Sequence, residues 1–121
     1  GWYGEKTHNL VMPGLDGLRK MAALMDGLRK DPPAQIAGTP VAVRKDYSDG
    51  SVVDCATGEK SRMELSGSNV LRFVLGGGEV VVRPSGTEPK LKIYLTAAGE
   101  SREKSRAMLA LLEKRLTDWA K

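Results

Sequence analysis

Between two apolar runs, residues 83 to 94 read Arg-Pro-Ser-Gly-Thr-Glu-Pro-Lys-Leu-Lys-Ile-Tyr, and these types in this order suit the capture of a phosphate. Arg83 follows Val80, Val81 and Val82, so its guanidinium projects from a strand end, where a planar fork of donors can meet phosphate oxygens two at a time. Ser85 and Thr87 add short hydroxyl donors. Gly86 between them lets a ligand oxygen approach backbone N–H groups, which in such a turn can form an anion-binding nest. Pro84 and Pro89 fix φ on both sides, so the loop loses less entropy on closing around a ligand. Lys90 and Lys92 bring further positive charge from the following strand. Glu88 would repel an anion, and its side chain is expected to turn toward Lys90 or Lys92. The same small residues also populate ordinary surface turns. What distinguishes this one is the convergence of three cations on three small donor residues.

The segment Arg83 to Lys90 resembles the phosphate-binding loop in the C-terminal domain of the alpha-D-phosphohexomutases, the superfamily of phosphoglucomutase, phosphomannomutase and phosphoglucosamine mutase. Further stretches are similar to the last quarter of bacterial enzymes of the phosphoglucomutase/phosphomannomutase type. These are Asn9-Leu-Val-Met-Pro-Gly-Leu-Asp-Gly-Leu-Arg-Lys-Met21, the break at Asp31-Pro-Pro33, Asn69-Val-Leu-Arg-Phe73 and the closing helix. The continuation Lys90-Leu-Lys-Ile-Tyr94 favours the glucose and mannose phosphate branch.

Leu15, Leu18, Met21, Ala22, Met25 and Leu28 recur at spacings of three and four and predict a helix starting near Leu15 to Asp16. Asp31-Pro32-Pro33 ends it. The methionines of this stripe are read as core. Val41, Val43 and Tyr47 alternate with polar neighbours, predicting a strand. The stretch 46–68 reads as an excursion with at most short strands. Its Gly58-Glu-Lys-Ser61 lacks the glycines of a nucleotide-binding loop. Strands over 69–75 and 79–83 flank Gly76-Gly77-Gly78, a turn short enough for an antiparallel hairpin. Leu91, Ile93 and Leu95 alternate with Lys92, Tyr94 and Thr96 in a last strand. A final helix is expected from Ser101, a good N-cap, with Met108, Leu111, Leu112, Leu116 and Trp119 on one face.

This order predicts an α+β domain, a largely antiparallel four-stranded sheet covered by helices on one face. The resemblance gives it the name TATA-box-binding-protein-like, an architecture that also serves nucleic-acid binders, so the fold alone does not choose a function. Residues 1–13 lack clear periodicity and are expected to be the tail of a preceding domain and a hinge, leaving 14–121 as the C-terminal domain.

Composition fits one globular domain: 121 residues, 40% apolar and 28% charged. No apolar run approaches the ~20 residues of a membrane span, and no signal peptide is visible, so a cytoplasmic location and no membrane partner are expected. Cys55, the one cysteine, has no histidine or second thiol in its loop and reads as incidental. Net charge is +4, from 19 basic and 15 acidic residues. That excess suits an anionic ligand, yet the basic pairs are not interleaved with aromatics as a base-stacking surface requires. Nucleic acid is therefore not the expected partner. A basic α+β module for nucleic acid or another polyanion is the alternative reading.

The resemblance implies a reaction, the reversible interconversion of hexose 1-phosphates and 6-phosphates such as glucose 1-phosphate and glucose 6-phosphate, through a bisphosphorylated sugar. It implies too that the phosphoserine and the Mg²⁺ site lie on other domains of the same enzyme. No residue of this chain is a catalytic or metal-binding candidate, so the fragment alone is expected to be inactive. Its expected role is binding, through Arg83, Ser85, Gly86, Thr87, Lys90 and Lys92. His8 is expected in an irregular tail, outside any site.

Overall fold

A computed structural model of the chain describes residues 2–11, 14, 16–36, 39–85 and 88–99. Its elements run β1 (Trp2–Val11), α1 (Gly17–Lys30), β2 (Gln35–Ile36), β3 (Thr39–Asp46), β4 (Ser51–Asp54), β5 (Lys60–Arg62), β6 (Leu71–Leu75), β7 (Gly78–Pro84) and β8 (Lys90–Gly99). The strands form one antiparallel sheet in the order β1-β8-β7-β6-β3-β4-β5, with β2 paired to β3. The α+β, antiparallel class expected from sequence is therefore the observed one.

Strict alternation makes β6, β7 and β8 two-faced. Leu71, Phe73, Leu75, Val80, Val82, Leu91, Ile93 and Leu95 point to one side and are buried, joined there by Met21, Met25 and Leu28 of α1. Each such apolar side chain contributes roughly 1.5 to 3 kcal/mol through removal from water. α1 meets the core with spacings of four and three, the period of a helix face. Leu18 lies outside that stripe and is 61% exposed, and Ala22 is exposed too, so the buried face is narrower than the spacing alone suggests. Asp16 caps the helix without a side-chain hydrogen bond, and Asp31 closes its other end by donating its N–H to the Gly27 carbonyl. Among the described residues no helix is long and apolar enough to cross a membrane. The closing helix expected from Ser101 lies outside the described residues.

The four expected strands are present as the consecutive block β8-β7-β6-β3, but the sheet is wider than four. β4 and β5 extend one edge as the short strands foreseen in the excursion. The other edge is a correction: residues 2 to 11, His8 included, do not form an irregular tail but a strand matched residue for residue with β8, from Trp2 opposite Gly99 to Val11 opposite Lys90. β1 is an edge strand held by backbone hydrogen bonds along its length. Its Glu5, Thr7, Asn9 and Val11 are exposed, so no apolar alternation announces it in the sequence.

A second correction lies in β3, where Val41 and Val43 do not share a face. The register with β6 shifts between them, so Val41 stands opposite Leu75 in the core while Val43 stands opposite Val74 on the other side. An extra residue in one strand of an antiparallel pair re-aims everything beyond it. Arg44 thereby turns to the helix side, opposite Phe73.

Candidate functional site

β7 and β8 form the hairpin that presents the loop at 85–89, and their register places Arg83 directly opposite Lys92. Both side chains stand on the face away from α1, since their neighbours Val82 and Ile93 are buried on the helix side. Tyr94 shares that face one step further along β8, opposite Val81. Cross-strand Cβ atoms lie ~5 Å apart, so two like charges in this arrangement repel. In high dielectric that repulsion is about 0.5 to 1 kcal/mol. Among the described residues neither Arg83 nor Lys92 has an acidic partner. An anion seated between them would turn this repulsion into attraction.

The loop closes on its own backbone. The Ser85 N–H donates to the Lys90 carbonyl at 2.9 Å, and the Lys90 N–H donates to the Glu88 carbonyl at 2.8 Å. Those two amides are therefore engaged within the loop, and the donor Ser85 can offer a ligand is its hydroxyl. Gly86 and Thr87 lie outside the described residues. Glu88 turns to Lys90, carboxylate to ammonium at 3.3 Å, as its awkward charge requires. Lys90 thus shares its charge with Glu88, while Lys92 keeps its own. The structure brings together Arg83, Ser85, Lys90 and Lys92 at one end of the sheet. It adds Asn9, which stands opposite Lys92 on β1 and is exposed. Only the pairing of β1 with β8 brings Asn9 there, and no local pattern marks it in the sequence.

The triple glycine is a turn. β6 and β7 pair from Leu71 opposite Val82 to Leu75 opposite Gly78, and Gly77 takes φ of +84° at the tip. Cys55 is exposed and free. Among the described residues, no three of His, Cys, Asp and Glu converge as a metal site.

Comparison with known proteins bears on this geometry. The profile of the family described as phosphoglucomutase/phosphomannomutase, C-terminal domain, matches residues 9–113, a span that includes α1, the whole β6-β7-β8 block and the loop. The chain belongs to this phosphoglucomutase/phosphomannomutase C-terminal domain family. It is 33% identical over 101 residues to a phosphoglucomutase of Staphylococcus saprophyticus, covering 84% of this chain and 18% of that protein. A phosphoglucomutase of Staphylococcus aureus is 36% identical over 96 residues, 79% of this chain and 17% of that protein. One of Staphylococcus haemolyticus is 38% identical over 96 residues, again 79% of this chain and 18% of that protein. The chain spans less than a fifth of the length of these curated relatives. In this family member, Arg83 and Lys92 stand paired across the strands that lead into the self-closed loop.

Proposed function

We propose that this domain is the phosphate clamp of a phosphohexomutase, holding the phosphate of a hexose phosphate that is not being transferred. The observation that carries the reading is Arg83 opposite Lys92 at the mouth of the β7–β8 loop, two cations without acidic partners among the described residues. The Arg83 fork would take two phosphate oxygens, Lys92 would neutralise the remaining charge, and the Ser85 hydroxyl would donate a third contact. Gly86 and Thr87 belong to the same proposal on their sequence types, and Lys90 contributes with its charge moderated by Glu88.

In the whole enzyme the clamp would fix the far end of the sugar while the near hydroxyl meets the phosphoryl donor of another domain. Binding energy from the remote phosphate is then used for orientation. An intermediate carrying two phosphates must present either end, so the clamp reads phosphate and not sugar. Substrates would be glucose 1-phosphate, glucose 6-phosphate and their mannose counterparts, handled in the cytoplasm. A division at residue 13 between a segment entering from the preceding domain and the body of this one is part of the same proposal, with β1 as the strand tying the two. Mg²⁺ would be held by another domain of the enzyme.

The test is steady-state kinetics of the full-length enzyme carrying Arg83→Lys. An ammonium keeps the charge but cannot reproduce the fork, and losing one charged hydrogen bond costs ~1.5 to 3 kcal/mol, a roughly ten- to hundredfold fall in kcat/KM. Unchanged kcat/KM on both sugar phosphates removes Arg83 from the site.

A further inference from the structure

Across the sheet from the loop, on the helix side, a cavity of about 490 Å³ opens between the end of α1 and the strands β3, β4 and β5. Its volume falls in the range of small-molecule sites. Leu28, Pro32 and Phe73 give it an apolar wall, while Arg44 and Lys60 bring it charge. These two cations flank Val53 in register: Arg44 stands opposite Val53 on one side and Lys60 opposite Val53 on the other. They therefore rise from the same face two strand spacings apart, roughly 9.5 Å.

Asp46 and Asp49 also line the cavity, and each carboxylate is already engaged by neighbouring donors. The Arg29 Nε donates to Asp46 Oδ2 at 3.0 Å, and the Ser48 N–H and hydroxyl both donate to Asp46 Oδ1. Asp49 accepts the Ser51 N–H at 2.8 Å. Hydrogen bonds from the Ser51 side chain and backbone hold the Asp49 carboxyl below the usual range, with desolvation opposing and the Arg62 charge assisting. Among the described residues Arg44 and Lys60 have no hydrogen bond or ion pair of their own. Arg44 is half-buried, and the register shift in β3 turns it into this cavity and away from the open face. A half-buried guanidinium without a carboxylate partner in a concave, partly apolar site leaves its planar donors available to an anion.

We infer that the cavity walled by α1 and β3–β5 is a second anion site, separate from the loop, that binds a small organic phosphate between Arg44 and Lys60. The phosphate lies between the two cations, and the carbon body packs toward Leu28, Pro32 and Phe73. A large polyanion does not fit the concave shape, and a bare inorganic ion leaves the apolar wall without a contact. Glycerol 3-phosphate is accordingly held more tightly than inorganic phosphate.

The experiment is an amide-resolved NMR titration of the chain with glycerol 3-phosphate, inorganic phosphate and, as an uncharged control, glycerol. Expected are shifts of the Arg44, Val53 and Lys60 amides that saturate with a dissociation constant on the order of millimolar for glycerol 3-phosphate. Glycerol moves none of them. In a chain carrying Arg44→Gln and Lys60→Gln, those shifts require roughly tenfold more ligand, while the response at Ser85 is retained. Lys60→Gln alone, at an exposed position on a short edge strand, leaves the fold in place and weakens the same response. The inference is overturned if the three amides stay still, if they respond equally in the substituted chains, or if glycerol moves them as glycerol 3-phosphate does. Because Ser85 reports on the loop, failure of the cavity and failure of the phosphate clamp are read separately.

Discussion

Among the described residues Arg83 and Lys92 face each other without an acidic partner, and under the proposed clamp that arrangement would trade stability for binding. Replacing Lys92 by Gln removes a repulsion worth about 0.5 to 1 kcal/mol, so the substituted chain is expected to unfold at equal or higher denaturant concentration. Its affinity for phosphate falls at the same time. Chemical denaturation and a phosphate titration on the same sample check both arms; a destabilised Lys92→Gln chain means the lysine has a structural partner instead. At this scale the sequence is partly legible. The order Arg-Pro-Ser-Gly-Thr-Glu-Pro-Lys marks the loop because its residue types are local. It also places Glu88 on a neighbouring lysine, as observed. Local order says nothing of Asn9, whose position depends on a strand from the far end of the chain. Nor does it reveal that the Ser85 amide is used to close the loop.

Among the elements, those with strong periodicity were readable and those governed by backbone pairing were not. α1 and β8 declare themselves through apolar spacing, and the β6–β7 hairpin through its glycines. β1 is hidden by an exposed, mixed outer row, and the β3 register shift cannot be read because both sides of the bulge carry valine. The turns allow a controlled comparison. Gly50 and Gly58 both hold φ of +78°, but a Cβ on Gly50 would lie 3.2 Å from the carbonyl oxygens of Met63 and Leu65, while Gly58 has open space. Gly58→Ala should therefore cost ~1 kcal/mol from backbone strain alone, and Gly50→Ala at least twice that. Equal losses in urea unfolding would contradict the crowding at Gly50. The β3–β4 connection has a pH signature as well. The folded Asp49 carboxyl sits below its ordinary value, so its contribution to stability is present above that value and is lost as pH falls through the lowered one. Asp49→Asn is expected to flatten this acid limb of the stability curve by lowering stability at neutral pH, while stability below the lowered value stays nearly unchanged. A limb that persists in the variant assigns it to other carboxylates.

For the whole molecule, the question is what a domain covering less than a fifth of the length of its relatives does alone. A clamp without a phosphoryl donor should not interconvert glucose 1-phosphate and glucose 6-phosphate; a coupled assay of the purified chain is expected to show no turnover, and activity that survives repurification would contradict this. The polyanion-binding alternative predicts instead a strongly salt-dependent affinity for oligonucleotides over a broad face. One measurement reaches the central claim most directly: an amide-resolved NMR titration of the chain with glucose 6-phosphate, repeated with mannose 6-phosphate. The signals of Ser85, Gly86, Thr87 and Lys92 should move first, at dissociation constants on the order of millimolar and alike for the two sugars, with Gly76 to Gly78 unmoved. The loop response should also persist in the chain carrying Arg44→Gln and Lys60→Gln. Silence at the loop, or shifts centred on the triple glycine or spread along α1, would contradict a phosphate clamp built on Arg83 and Lys92.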